Sequence, residues 1–355
     1  MLEIATQNRI VYVGETHDNP ASHRLQLRVL KAMVDQHPGK VALGMEMFTP
    51  VQDEALRSWV KGKSSEKEFL RAAGWYTNWT GDFDYYKEIL YFAREQNIPV
   101  IGLNAEKKTV RLVVANKTEE LTDEENRVIS DMDLTDPYQR GMVEGIYGGH
   151  VKSEGKLDGF HRAQTLWDET MADSIVRFLQ KDEYRDFHMV IIAGGNHVRY
   201  GFGIPRRVFR RLPLSYTLIG GKEIEIPESK KDKLMNVNLP EFPMPPYDFM
   251  AFLHYEDLDK KDVKLGVMFN DTEGEIVVQM VSPESNAERA GVKKGDIILA
   301  IDGEDVADKF DAVYAIKQKS AGDHGTVQIK RATEKLVLEV EYLANEASTH
   351  GKSGK

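Results

Sequence analysis

The sequence predicts an α/β fold, a mostly parallel sheet flanked by helices, with a small β-rich domain after it. Three observations carry this. Over roughly the first 220 residues, brief Val- and Ile-rich runs alternate with longer stretches of helical period, the pattern of strand–helix units whose sheet is covered on both faces. After about residue 262 the pattern changes to short alternating runs punctuated by Gly and Asp, with a single clear helical stretch. Between the two, Pro227, Pro240, Pro243, Pro245 and Pro246 fall within Gly220–Asp262. Proline serves neither a central strand nor a helix interior, so this segment reads as an extended connector.

Taken in order, Arg9–Val13, Val41–Met45, Ile98–Leu103 and Met189–Ala193 are the strand-like runs of the first part. Asn19 and Pro20 suit the cap and first position of a helix whose stripe is Leu27, Leu30 and Val34. Thr49-Pro50-Val51-Gln52 reads as a capping box opening another helix. A third helix runs over Phe160–Leu179, with Phe160, Ala163, Trp167, Met171, Ile175 and Phe178 on its apolar side. In the connector, Glu228–Lys233 is a charge run, and the apolar piece Tyr247–Leu253 returns as an edge strand of the first domain. Leu265–Phe269, Glu275–Val281 and Asp296–Ile301, the turn Asp302-Gly303, a helix over Lys309–Lys319, and strands Thr326–Lys330 and Lys335–Tyr342 make up the second. The expected domains are therefore 1–257, with a connector over 221–261, then 262–343, and a disordered polar tail over 344–355.

Composition sets the outer limits. The 355 residues are 41% hydrophobic and 29% charged, enough for a sizeable core and too apolar for disorder. No apolar run approaches the roughly 18 residues of a transmembrane helix, and the opening MLEIATQNRI resembles no signal peptide. With 47 Lys and Arg against 57 Asp and Glu, the net charge of −10 argues against a nucleic-acid partner. There is no cysteine. That excludes disulfides, thiolate zinc sites, iron–sulfur clusters and a cysteine nucleophile.

Parallel sheets bind ligands beyond the carboxyl ends of their strands, so the residues standing there are informative. After the first strand comes Gly14-Glu15-Thr16-His17, after the second Glu46, after the third Asn104, and after the last Gly194-Gly195-Asn196-His197. Imidazole with carboxylate is a ligand set for a divalent ion such as Zn, Mn or Fe, which makes Glu15, His17, Glu46 and His197 the metal candidates. The same four could act as acid and base in catalysis. As a cofactor site, the edge gathers His17, His23, Gln26, Asn104, Gln164, Asp168, His197 and Tyr200. His23 points inward from the first turn of its helix, whereas Gln164 and Asp168 alone read as a solvated shoulder. His188 reads as structural; His37, His254, His324 and His350 read as surface or linker positions. Six aromatic residues crowd Trp75–Tyr86, more simply a packed loop than the wall of a flat ligand. Tyr200 can ligate iron through its phenolate or form a hydrogen bond.

These residues also carry a resemblance. GlyGluThrHisAspAsnPro (14–20) with His23 and Gln26, GlyMetGluMetPhe (44–48), GlyLeuAsnAla (102–105), AlaGlnThrLeuTrpAspGluThrMetAla (163–172) and GlyGlyAsnHisValArgTyrGlyPheGlyIlePro (194–205) occur in that order. Together they resemble the ChaN family of haem-binding bacterial proteins, related to the TraB/Tiki and erythromycin-esterase group, over about residues 9–215. The resemblance implies an α/β first domain, haem held through a tyrosine, haems facing each other across a homodimer, and for some members a lipid anchor in the bacterial envelope. It places the wider group's metal or catalytic residues on Glu15, His17, Glu46 and His197, and leaves Tyr200 and Tyr147 as candidates for the iron ligand. The chain shows no leader and no cysteine for lipidation.

The second domain resembles a bacterial-type PDZ domain, through LysLeuGlyVal (264–267), SerProGluSerAsnAlaGluArgAlaGly (282–291) and LysLysGlyAspIleIleLeuAlaIleAspGly (293–303). The resemblance implies a peptide or protein C-terminus added as an extra strand, its carboxylate held near Leu265, Gly266 and Val267. Two readings of the whole stand side by side. The chain is a haem- or iron-binding protein with its ligand at the carboxyl edge of the sheet and a PDZ module for a partner. Alternatively it is a metal-dependent hydrolase using the Glu/His cluster. The family resemblance puts the first slightly ahead.

Overall fold

Six strands organise the first part of the chain: β1 (Ile10–Glu15), β2 (Val41–Met45), β3 (Val100–Gly102), β4 (His188–Gly194), β5 (Tyr216–Glu225) and β6 (Phe249–His254). They pair in the order β3-β2-β4-β1-β5-β6, each pair parallel. The computed structural model describes residues 1–79, 81–147, 154–228, 240–258, 263–272 and 274–344. The chain divides into two compact units, Met1–Asp257 and Leu258–Lys355. The charge run at 229–233, the tail from 345 and His350 lie outside the described residues.

Burial of β1, β2 and β3 along their full length explains their unbroken apolar runs. Among the helices of this unit are α1 (Pro20–Gln36), α2 (Asp53–Val60), α3 (Lys107–Val114), α4 (Pro137–Tyr147), α5 (Glu154–Leu179) and α6 (Ile204–Arg211). Asn19 caps α1, accepting from the Ala21 amide at 3.1 Å. The Thr49–Gln52 capping box is formed, and it opens a 3-10 turn that leads into α2. In the core, Met171, Ile175 and Phe178 of α5 pack with Ile10, Tyr12, Met189 and Ile191 of the central strands. Each such side chain contributes about 1.5–3 kcal/mol on burial, an upper figure for a chain with some residual compactness when unfolded.

Element limits differ from the sequence reading at several places, β3 among them, which is shorter than Ile98–Leu103. α5 begins at Glu154 rather than Phe160, and Phe160 is 40% exposed. It faces Tyr147 of α4, ring on ring at 4.6 Å, instead of the core. β5 runs on to Glu225, taking six residues that read as connector. Its polar second half is stranded because it pairs with β6 at the sheet margin, where one face meets solvent. β6 is the edge strand expected around Tyr247–Leu253, running Phe249–His254.

The second unit is an antiparallel sheet: β7 (Val267–Thr272), β8 (Glu275–Val281), β9 (Ile297–Ile301), β10 (His324–Arg331) and β11 (Glu334–Glu341), with helix α7 (Lys309–Lys317). The order is β11-β10-β9-β8-β7, so among the described residues β7 is a margin of the sheet with no strand beyond it. Leu265, Phe269, Ile276, Val278, Ile298, Val327, Ile329 and Tyr342 fill its core. β7 starts two residues later than the sequence reading because Leu265 and Gly266 form a loop. Their carbonyls accept from Ala287 and Ser282 amides, both at 2.8 Å, and Gly266 has φ +84°. A side chain there would be strained and would collide with Ser285.

Candidate functional site

A cavity of about 1060 Å³ opens above the carboxyl ends of β1, β2, β3 and β4. This is the crevice that the strand order marks out, since the chain leaves β1 in both directions across the sheet. Glu15, His17, Glu46, Asn104, Tyr147, Gln164 and His197 all line it.

Glu15 is the last residue of β1, and its carboxylate is saturated. It accepts from His17 Nδ1 at 2.6 Å, Gln26 Nε2 at 2.5 Å and the Tyr86 hydroxyl at 2.6 Å. His23 Nδ1 stands 3.4 Å away, and its other nitrogen donates to the His17 carbonyl at 3.0 Å. Burial works to raise the Glu15 pKa, but the facing His23 and His17 outweigh it and hold the carboxyl far below its ordinary range. The same contacts act on His17 in reverse. Burial lowers its pKa, while the Glu15 hydrogen bond and the Glu46 charge carry it up to about 9. His17 remains 46% exposed, and its ring meets Trp79 edge to face at 5.1 Å.

Glu46 follows β2. Its Oε2 accepts the Gly194 amide at 2.6 Å, and its Oε1 lies 3.5 Å from His197 Nε2. Asn104, just past β3, donates to the Glu46 carbonyl at 3.0 Å and caps its own chain through Ala105 N at 2.8 Å. His197 sits in the short helix Gly195–Val198 that follows β4. Its Nδ1 donates to Asp168 at 2.6 Å, and the Gln164 amide lies 2.9 Å from the same nitrogen. Burial lowers the His197 pKa, but Glu46 and Asp168 together raise it overall.

Behind Asp168 the polar chain continues into the protein. Gln139 of α4 donates to Asp168 at 2.7 Å, Arg207 of α6 donates to Gln139 at 2.6 Å, and Arg207 Nε pairs with buried Glu169 at 3.0 Å. Each buried group is thereby satisfied, as low dielectric requires.

The sequence-predicted residues therefore fall into three sets. Glu15, His17, Glu46, Asn104, Gln164 and His197 reach the cavity. His23, Gln26 and Asp168 stand behind it, each against a residue that does reach it. Tyr200 does not line it: the ring packs on Phe202 at 5.5 Å and Phe242 at 4.8 Å. Gln164 and Asp168 are not a solvated shoulder but buried, because the α4 and α6 packing covers that side of α5. Of the crowded aromatics, Trp75, Phe83 and Tyr86 are core, while Trp79 joins the cavity wall. Among the described residues no group of three or more His, Asp or Glu is placed to hold a metal ion; Glu15 in particular is spent on its donors.

Sequence reasoning missed Tyr86, Gln139, Arg207 and the basic side chains Lys107, Lys108 and Arg111 of α3 at the rim. Tyr86 is hidden among aromatics that read as packing. Arg207 stands among Arg206, Arg210 and Arg211, and no local signal marks it as the buried one. In the second unit, Leu265, Gly266 and Val267 form the loop and first residue of the free strand β7, beside Ser285.

The family model "Haem-binding uptake, Tiki superfamily, ChaN" matches residues 1–208, and a PDZ-domain model matches 263–342. A solved structure described as cofacial heme binding to ChaN of Campylobacter jejuni is 16% identical, with a TM-score of 0.51 over 64% of this chain and 86% of that one. It shows the same fold. The HtrA3 PDZ domain bound to the phage-derived ligand FGRWV is 21% identical over 22% of this chain and 84% of that chain, TM-score 0.21. A mutant of the erythromycin esterase EreC in its open conformation is 14% identical over 63% and 73%, TM-score 0.40. No curated protein matches by sequence. No described helix is long and apolar enough to cross a membrane. With 208 of its 355 residues matched, the chain belongs to the ChaN haem-binding uptake family of the Tiki superfamily and carries a PDZ domain after it.

Proposed function

We propose that the first unit binds haem, or a closely related metalloporphyrin, in the cavity at the carboxyl edge of its sheet, and that the PDZ unit engages the C-terminus of a partner protein. The observation that carries the first part is the make-up of the cavity. Trp79, Trp167, Met47 and Val110 give it apolar faces, Lys107, Lys108 and Arg111 give it a basic rim, and His17, His197 and Tyr147 put iron-competent atoms on its lining. A porphyrin needs those three things: apolar walls for the ring, cations for its carboxylates, and an axial donor. Bound iron porphyrin would supply redox and ligand-binding chemistry; the protein's part is to seat the ring, neutralise the carboxylates and limit access.

A haemin titration of the full chain followed by absorbance tests this. The expected result is a saturable Soret shift at one haem per chain. A linear, unsaturable change at the free-haemin spectrum refutes it.

The PDZ proposal rests on the free strand β7 and the Leu265–Val267 loop, which suit addition of a peptide strand with its carboxylate at the loop. Peptides from a C-terminal library should bind the full chain with a free carboxylate and lose binding when amidated. Equal binding of both forms would refute the terminal-carboxylate reading.

A further inference from the structure

The surface of the PDZ unit carries a pair of methionines that stand outside its core. Met268 of β7 and Met280 of β8 are direct cross-strand partners, so their side chains share one face of the sheet. That face is the solvent side. The two are 53% and 49% exposed, while Val267, Phe269 and Val281 beside them turn the other way, into or against the core. Two other large apolar side chains exposed in this unit, Val337 and Leu343, lie on or just past β11, at the opposite margin of the sheet. The next outward residue of β7 is Asn270, polar and exposed, so the apolar stretch on the outer face of this strand is one residue long.

Resting on the PDZ reading above, we propose that Met268 and Met280 select a bulky apolar residue, best an aromatic one, at the penultimate position of the partner's C-terminus. A carboxylate held at Leu265–Val267 lies at the beginning of β7, so the peptide strand runs antiparallel to β7. Counting back from the carboxylate, the last residue stands beside Val267, the penultimate one beside Met268 and the third from the end beside Phe269. Residues directly opposite in an antiparallel pair share a face, and successive residues alternate between faces. The last and third side chains therefore turn to the core side with Val267 and Phe269. The penultimate one turns out onto Met268, with Met280 one strand further back. Two flexible thioethers adapt to an irregular apolar surface and make favourable sulfur–aromatic contacts. A small residue there leaves both methionines in water, and a charged one is set against apolar surface. The fourth residue from the end meets Asn270 and gains nothing from being apolar.

The test is binding of the immobilised full chain to synthetic peptide pools with free carboxylates, each pool random except at one fixed position. With the penultimate residue fixed, the Trp pool should bind about tenfold tighter than the Ala pool. The Leu pool should fall between them, and the Asp pool should be weakest. Fixing Trp at the fourth position from the end should bring no such gain. Met268→Thr keeps a good strand former at an exposed site and should bring the Trp and Ala pools within about twofold of each other. Met280→Thr should shrink the advantage of Trp and leave that of Leu, which does not reach the second strand. Equal Trp and Ala pools on the wild-type chain, or a Trp advantage that survives in folded Met268→Thr, overturns the inference while leaving peptide binding intact. An equal gain from Trp at the fourth position overturns the assigned register, and an unchanged Trp advantage in Met280→Thr overturns the part given to Met280. If no pool binds, or amidated pools bind as well as free ones, the PDZ reading falls and this inference with it.

Discussion

Glu15→Gln is the substitution whose cost comes most directly from the structure. The side chain keeps its volume but loses its charge, in a place where three donors and a further imidazole converge on two oxygens. The amide oxygen can still accept from one side, so Tyr86 or His17 keeps a partner. The new NH2 group then faces the Gln26 amide or an imidazole N–H, donor against donor, leaving at least one buried polar group unsatisfied at about 1–3 kcal/mol. The charge term adds to this. The rise of His17 from 6.5 to about 9, which Glu15 shares with Glu46 and Asp18, would at face value be worth about 3 kcal/mol in all; with the ring 46% exposed, solvent screening leaves about 1 kcal/mol for the part that Glu15 supplies. Buried His23, also raised by Glu15, loses its counter-charge as well. The total is about 3–5 kcal/mol, the range expected for breaking a buried pair by removing one partner. Urea unfolding at pH 7, followed by far-UV circular dichroism on the first unit's transition, measures it. The pH dependence has a definite sign: a histidine with a raised pKa stabilises fully below its unfolded value of 6.5 and loses that contribution as pH rises through about 9. The gap between wild type and variant should therefore narrow between pH 7 and pH 10. A loss under 1 kcal/mol at pH 7, or a gap that stays constant with pH, would refute the reasoning that Glu15 is a charged acceptor for these histidines.

Three further predictions use other parts of the molecule. Gly194→Ala puts a Cβ 2.9 Å from His17 Nε2 on the cavity lining; haemin affinity should fall by about tenfold, the worth of about 1.4 kcal/mol, with stability changed by less than about 2 kcal/mol, measured by titration and urea unfolding, and unchanged affinity would show that the ligand does not approach this edge of the lining. At the opposite end of the sheet, the His37 and His188 rings stack at 3.5 Å, donating to the Thr6 and Asn8 carbonyls. Burial first, and then the neighbouring His37, keep the His188 pKa low despite its hydrogen bond to Asn8. The contribution of His188 is present above pH 6.5 and lost as pH falls, so wild type should lose stability between pH 7 and pH 5 more steeply than His188→Gln does. In the PDZ unit, Gly266→Val forces a branched residue to φ +84° against Ser285, which should abolish peptide binding and lower the unit's melting temperature; retained binding would free the loop from its assigned part.

The strands were legible in the sequence because a buried parallel strand has no polar side to interrupt it, and Val41–Met45 shows this without remainder. The strand ends were legible for a related reason. Glu15, Glu46 and His197 are polar residues placed directly after such runs, where topology brings them together although they are far apart in sequence. What could not be read was the direction of each contact. Glu15 and His17 share one strand end, yet one turns in to accept from Gln26 and Tyr86 and the other turns out to the cavity. Gln164 and Asp168 looked solvated because helical period locates a face, not what covers it. Their cover comes from Gln139 and His197, up to 33 residues away, and from α6. Tyr200 was conspicuous by its closeness to His197, but its left-handed backbone, φ +58°, turns it onto Phe202 and Phe242.

The distribution of buried charge argues that this edge is kept for a ligand. An apolar replacement of similar volume is often neutral or stabilising where a buried ionic network serves the fold alone. The second unit buries Asn286, Asp296 and Asp311 as well, Asp296 paired with Arg331. The first unit gathers several of its buried carboxylates at one place. Lining its cavity or standing behind it are Glu15, Glu46, Asp168 and Glu169, all buried, each held by hydrogen-bond donors. The relay from Glu169 through Arg207 and Gln139 ends on Asp168, and Asp168 ends on His197. Glu15 similarly ends on His17. Two imidazoles are thus each fixed through Nδ1 by an anchored carboxylate, on either side of Glu46. Both line the cavity, but His17 stands 46% exposed and His197 only 10%, so the first is presented at the cavity face and the second is held as part of its floor.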